Sequence, residues 1–450
     1  MKYTFSCFGR LLVILLVIQL LTLSGYAGPR PGENTLTGEQ KAAIIDTVTQ
    51  AFVEYYVFLD DAKKMETLLD RNLKEGKYDA IKTLPEFAAV LTRELRSINN
   101  DRHITIDAMR PGVQVMDPTD TDDDKEKAIA LKRMQEQNFL FRKVEILDGN
   151  IGYLRFDGFI DASVAGATAI AAMGFLAHCD AIIFDMRYNG GGNPSMIQLL
   201  TSYLVKEPTH LNSFYVRKQD VTQQFWTQAM VPGPSLADVD AYVLTSKFTF
   251  SGAEEFTYNL KNLKRATVIG ETTGGGAHPV SAHPFPNLGI SAIIPYGRAI
   301  NPITGTNWEG TGVTPDIKVP AADALLTAQR EALKKLKENT SVPGRQRKLE
   351  WALLTINSQL NPPNIAIETL RKYVGTFQDR EIKLSDEGNL QYRRGERPWN
   401  ALVAVTDTIF CIDGVDYFRL EVVLDDAGNP LKLVGHYADG RTDESLKTSD

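Results

Sequence analysis

The amino-acid sequence predicts an α/β fold: a mixed, largely parallel βαβ core with an N-terminal helical bundle and a small C-terminal all-β domain. Three patterns support this. From Phe139 to Pro320, short apolar runs that end at turns alternate with segments of helical spacing, the pattern of strands joined by crossover helices. Ahead of that stretch, residues 37–98 place apolar side chains every three or four positions. Beyond residue 370, brief alternating runs are punctuated by Gly, Asp and Asn, as in antiparallel sheets. At roughly one domain per 100–200 residues, a chain of 450 has room for all three.

The N-terminus reads as a processing signal. Lys2 and Arg10 are followed by an apolar run, Leu11 to Leu23, and Gly25-Tyr26-Ala27 offers small residues at the −3 and −1 positions of a cleavage site. The run is short for a membrane span. The expectation is therefore an exported, periplasmic or secreted chain that begins near Gly28 after a signal peptide over residues 1–27, with no stable membrane span. A formal net charge of -7 argues against nucleic acid as a partner.

Residues 28–36 form a polar linker, and residues 28–98 as a whole an N-terminal helical domain. Thr37 with Gln40 resembles a capping box and opens the stripe Ile44, Val48, Phe52, Tyr55. A second stripe is Met65, Leu68, Leu69, Leu73; a third, after Pro85, is Phe87, Val90, Leu91, Leu95. His103 starts an alternating run that suggests a strand, and Asp117 to Asp124 is an acidic loop without EF-hand spacing. In the core, residues 99–338, Val144 to Leu147 and Ile151 to Phe156 flank Asp148-Gly149-Asn150 as a hairpin. A helix follows from Asp161 to Leu176, a buried strand from Ala181 to Asp185 and a helix from Met196 to Leu204. Residues 339–369 read as a helical linker and 370–450 as a small antiparallel β domain. With Cys7 in the leader, Cys179 and Cys411 remain, expected as buried free thiols.

The chemistry gathers at residues 241–277. Tyr242-Val243-Leu244 and Thr267 to Gly270 read as short buried strands, and Ala253, Phe256, Leu260 and Leu263 as a helix between them. Ser251 stands where the first turn enters that helix, with Gly252 behind it. Serine is a common N-cap at such a place. It is also where a hydroxyl faces unpaired N–H groups that favour developing negative charge. A serine nucleophile needs a base and donors for its oxyanion. The segment Asp185 to Asn193, with Gly190-Gly191-Gly192, lies between a strand and a helix and lacks both the Walker and the GxGxxG patterns, so its amides suit an oxyanion. Among the histidines at 103, 178, 210, 278, 283 and 436, sequence spacing alone picks no base, and His103, His278 and His283 are all admissible. His278 and His283 alone are a weak metal signal.

Taken together, residues 99–320 resemble the catalytic region of the C-terminal-processing (tail-specific) serine peptidase superfamily, in the branch of the tricorn core and the interphotoreceptor retinoid-binding protein modules. The likeness is carried by Asn100-Asp101-Arg102-His103, Ile151-Gly152-Tyr153-Leu154, Asp185-Met186-Arg187 with Gly190 to Gly192, Phe250 to Glu254, Gly270 to Gly276, and Glu309 to Asp316. It implies a crotonase-like, ClpP-like core. In the lysine-dyad branch a lysine stands at the place of Gly276; the tricorn-like branch uses a histidine that matches His103 and a glutamate that matches Glu309. The resemblance thus implies Ser251 as nucleophile, His103 as base, Glu309 as its orienting acid, and oxyanion donors at Gly252 and Gly191, with Gly192 beside them. Arg102 replaces the serine that precedes the histidine in tricorn-type sites, and the interval from Asp107 to Phe139 is too short for a PDZ module.

The expected function is that of an exported serine hydrolase, a peptidase acting on peptide or unfolded protein, with no cofactor and no metal. The alternative is a non-catalytic binding protein for an apolar ligand or peptide on the same scaffold.

Overall fold

The computed structural model describes residues 35–109 and 123–448, so the expected leader, most of the expected polar linker and most of the acidic loop lie outside the described residues. The chain divides into two units: the described residues before 110 together with 280–296, and all the others.

In the first unit, Thr37 and Gln40 close the capping box (Gln40 N to Thr37 Oγ1, 3.1 Å; Thr37 N to Gln40 Oε1, 2.9 Å) and start α1, Gly38–Tyr55. α2 is Leu59–Lys74, and α3 is Leu84–Arg96 with Pro85 in its first turn. Each helix turns one apolar stripe inward: Ile44, Val48 and Phe52; Met65 and Leu69; Phe87, Leu91 and Leu95. They pack on a three-stranded antiparallel sheet in the order β1 (Thr105–Ala108), β10 (Ile290–Pro295), β9 (Val280–Phe285). Ile106 pairs with Ala292, and Ile290, Ala292 and Ile294 enter the same core. The helices read in the sequence are present, but the sheet under two of its three strands is made from residues nearly two hundred positions downstream. Local periodicity carries no sign of so distant a pairing.

The second unit is built on a six-stranded sheet in the order β12 (Ile317–Lys318), β8 (Ala266–Gly270), β7 (Asp240–Thr245), β4 (Ala181–Asp185), β3 (Ile151–Phe156), β2 (Phe141–Leu147). β2, which follows α4 (Asp123–Glu136) in the chain, is antiparallel at one edge; the other pairs are parallel. Both faces are covered, so β4 is apolar until its last residue and alternates its side chains between two cores. Ile182 and Phe184 pack with α5 (Ala162–Phe175), α6 (Pro194–Ser202) and α7 (Gly252–Asn262). Ala181 and Ile183 pack with α8 (Ala324–Glu338) and α9 (Pro343–Leu360). The segment expected as a helical linker thus supplies, through Leu349, Ala352 and Ile356, part of the core on that second face. β5 (His210–Val216), β6 (Val221–Trp226) and β11 (Gly297–Ile300) make a separate antiparallel sheet in the order β11-β5-β6.

From β13 (Gly375–Phe377) to β20 (Thr442–Leu446), eight strands follow one another in an antiparallel meander around Phe377, Tyr392, Phe410, Phe418 and Leu420. Just past β20 the Thr448 N–H returns to Thr376 O at 2.8 Å, drawing the first and last strands of the meander together. Cys179 is a buried free thiol, whereas Cys411 is a free thiol only half-buried, because its strand lies where alternate side chains face outward. Among the described residues, no helix is long and apolar enough to cross a membrane.

Candidate active site

β4 and β7 are parallel neighbours in register, Asp185 opposite Leu244, so the loops after them leave the sheet on the same edge. Ligand crevices in open α/β sheets lie at this carboxyl edge. The loops are laced together. Thr249 Oγ1 donates to Met186 O at 2.8 Å, Ser246 Oγ to Arg187 O at 2.6 Å, and Phe250 N to Asn189 O at 3.1 Å.

Ser251 follows as the N-cap of α7, with φ 53° and ψ −122°. Positive φ is uncommon for a residue with a Cβ and costs on the order of 1–3 kcal/mol. The hydroxyl lies near the N3 backbone without closing a cap hydrogen bond, so the cap is made from the other side: Ser251 N donates to Glu254 Oε2 at 2.9 Å. Glu254 is fully buried. It also accepts Gly276 N at 2.8 Å, Gly275 N at 2.7 Å and the Thr273 hydroxyl. Burial pushes its carboxyl up, and these donors pull it back.

The glycines predicted to serve the oxyanion meet at Ser251. Gly191 (φ +103°) is so close to the nucleophile's turn that a Cβ there would fall 2.6 Å from Gly252 N and 2.8 Å from Ser251 Cβ. A Cβ on Gly252 would fall 2.9 Å from Gly192 N. Only glycine permits this approach of two backbones. The Gly191 N–H is engaged, donating to Asn189 Oδ1 at 2.9 Å, and Asn189 is itself fixed by its Nδ2 bond to Phe156 O at 2.9 Å. The Gly252 and Gly192 N–H groups have no partner among the described residues.

Two further loops complete this part of the unit. Thr273 Oγ1 donates to Glu254 and accepts Val313 N at 2.7 Å, Gly310 N donates to Gly275 O at 3.0 Å, and Trp308 Nε1 donates to Gly276 O at 2.7 Å. Glu309 is held between them. Its Oε2 accepts Ala277 N at 2.6 Å and lies 3.6 Å from His278 Nδ1, the imidazole being buried.

His103 belongs to the first unit, where its backbone N donates to Asp101 Oδ1 at 3.0 Å and its Nδ1 lies 3.9 Å from the same oxygen. Asp101 Oδ2 accepts the Tyr56 hydroxyl at 3.1 Å, and Asn99 Nδ2 donates to that hydroxyl at 2.7 Å. Burial and then the Asp101 charge push the Tyr56 hydroxyl far above the usual tyrosine range, so it stays a donor. His283 lies tilted by 37° against Tyr55 with ring centroids 4.3 Å apart, and within β9 it pairs with Ser281 Oγ at 2.7 Å. His210 is stacked on Trp226, and His436 is paired with Glu421.

Sequence reasoning missed three parts: Glu254 as the clamp on Ser251, Asn189 as the group that takes the Gly191 amide, and the pairing of Glu309 with His278. The first had a signal, since Ser251-Gly252-Ala253-Glu254 has capping-box spacing. The others depend on loop conformations that no spacing records.

Residues 150–319 match peptidase family S41, and residues 37–147 match the N-terminal domain of that family as found in eukaryotic IRBP. Among solved structures, the photosystem II D1 C-terminal processing protease aligns with a TM-score of 0.42 and 14% identity over 64% of this chain and 94% of that chain. A lipoprotein from Streptococcus agalactiae gives 0.45 and 15% over 71% and 100%. The tricorn protease gives 0.45 and 13% over 67% and 37%.

Proposed function

We propose, for a chain that belongs to peptidase family S41 and is a serine-type peptidase, that Ser251 is the nucleophile, His103 the general base and Glu309 the acid that steadies the imidazolium. The observation that carries Ser251 is its place at a helix N-terminus beside two unengaged amides, Gly252 and Gly192. His103 and Glu309 take their parts from the motif likeness. The substrate is a peptide or protein. Ser251 Oγ adds to the carbonyl carbon while the base takes its proton, and the two amides hold the oxyanion. Collapse expels the amine, which receives that proton. Water, deprotonated by the same base, then cleaves the acyl-enzyme and restores the hydroxyl.

One observation favours a second assignment of the base: Glu309 Oε2 stands 3.6 Å from His278 Nδ1 in its own unit. Ser251→Ala, His103→Ala and His278→Ala, assayed on a protein substrate with labelling by a fluorophosphonate, test both. Ser251→Ala is expected to lose about 10³-fold or more in turnover and all labelling; parental activity in it would refute the nucleophile. Activity kept in His103→Ala and lost in His278→Ala would move the base.

We also infer export, on the strength of residues 1–27. Mass spectrometry of exported material should find the mature chain starting near Gly28, and an intact Met1 there would exclude it.

A further inference from the structure

Two exposed aromatic rings lie on the loops that carry Ser251 and its glycines. Tyr188 is 55% exposed and Phe248 is 68% exposed. Tyr188 lies three residues before Gly191, and Phe248 three residues before Ser251. Single exposed apolar residues are ordinary, but these two spring from one point: Ser246 Oγ donates to Arg187 O, the carbonyl just before Tyr188, at 2.6 Å and accepts Phe248 N at 3.1 Å. Neither ring belongs to a hydrophobic core cluster.

The rings rest on fixed supports. Turns close the backbone on both sides, with Asn189 N to Met186 O and Thr249 N to Ser246 O each at 3.0 Å. The Arg155 guanidinium lies 4.1 Å from the Tyr188 ring centroid and is itself held by Asp157, Nε to Oδ1 at 3.0 Å. A ring held in place before binding loses little freedom when a ligand covers it. The cations around it are mostly spent. Arg187 is bidentate on Asp185, at 2.8 and 2.6 Å, and gives its third nitrogen to Ala321 O at 2.7 Å. Lys247, exposed beside Phe248 with its ammonium 5.5 Å from that ring's centroid, is the cation that remains, so the surface on offer is two ring faces flanked by one lysine, on the same two loops that carry the proposed oxyanion amides and the nucleophile.

We propose that Tyr188 and Phe248 form the subsite for an apolar side chain of the peptide substrate, adjoining the carbonyl that is attacked, so that the enzyme selects bonds next to large apolar residues. This rests on Ser251 as the nucleophile. The occupant is a substrate side chain because the rings lie on the two loops that carry the reacting serine and its glycines, and because each stays more than half exposed even with Arg155 against Tyr188 and Lys247 against Phe248.

The test uses peptidyl phosphonates that react with an active serine and carry a benzyl, a methyl or a carboxyethyl side chain next to the phosphorus, with a plain alkyl fluorophosphonate alongside. Second-order labelling rates are read on the full chain. The benzyl probe is expected to outpace the methyl probe by about tenfold or more. That ratio should fall about tenfold in Phe248→Ala and in Tyr188→Ala, and hold in Tyr417→Ala, an exposed ring of the β domain. Unfolding curves establish that each variant is folded. A flat preference in the wild type, a preference for the carboxyethyl probe, or a ratio unmoved by either substitution would overturn the subsite while labelling by the fluorophosphonate still upheld Ser251. Absence of all labelling at Ser251 would remove the nucleophile and the subsite with it.

Discussion

Glu254 Oε2 accepts the Ser251 N–H at 2.9 Å, so a buried carboxylate three residues into α7 holds the backbone of the residue that caps it. The same carboxylate ties down Gly275 and Gly276. Ser251 can therefore be kept at φ 53°, where a side chain is uncomfortable.

Such strain should be measurable. Ser251→Gly removes the Cβ that objects to positive φ, at an entropic cost in the unfolded chain of roughly 0.5–1 kcal/mol. We expect the variant to be inactive yet more stable than the parent by about 1 kcal/mol, read from denaturant midpoints at unchanged slope. A Ser251→Gly protein no more stable than Ser251→Ala would show that the turn stores nothing.

Adjacent glycines should answer differently to one methyl group. A Cβ on Gly190 meets nothing within 4 Å, whereas a Cβ on Gly191 falls 2.6 Å from Gly252 N and 2.8 Å from Phe250 O, with φ at +103°. Gly190→Ala should fold and cleave like the parent. Gly191→Ala should lose on the order of 2–4 kcal/mol and at least 10²-fold in activity, because the two backbones must part. Equal behaviour of the two in thermal unfolding would contradict the close approach.

Glu255 gives a pH signature. It is buried beside Asn212 and Asn259, and burial raises its carboxyl to about 7, against which the two amides pull down. A folded-state value above the unfolded one means that the native state holds the extra proton between about 4.5 and 7, so this group lowers stability as pH rises through that window. Glu255→Gln should relieve the loss. Its advantage over the parent should be absent near pH 4 and grow to roughly 2–3 kcal/mol by pH 8. Thermal unfolding across that range checks the sign; an advantage that shrinks with pH would refute it.

How much of this was legible in the sequence follows the range of the forces involved. β4 was read residue for residue, because a strand covered on both faces must be apolar along its length. α7 and the turn at Ser251 were read from a short stretch whose pattern is local. The hairpin of β9 and β10 was not, since Pro284 interrupts it and its partners lie near residues 44–106. In the site, the meeting of Ser251 with Gly191, Gly192 and Gly252 was anticipated as a set. Which amide stays open was not, because that turns on the rotamer of Asn189. Nor was the Glu309–His278 pair, which depends on how two loops lie against each other.

The crossing of the polypeptide between units at 279–280 and back at 296–297 makes the architecture hard to cut. A gene fragment ending near codon 109 would encode three helices whose apolar stripes lack Ile290, Ala292 and Ile294, while one starting at codon 123 would keep those side chains on a hairpin without the helices that cover them. Neither piece should be soluble by itself, and co-expressed halves should recover only by finding each other, so shuffling of such modules by recombination would have to carry both segments at once.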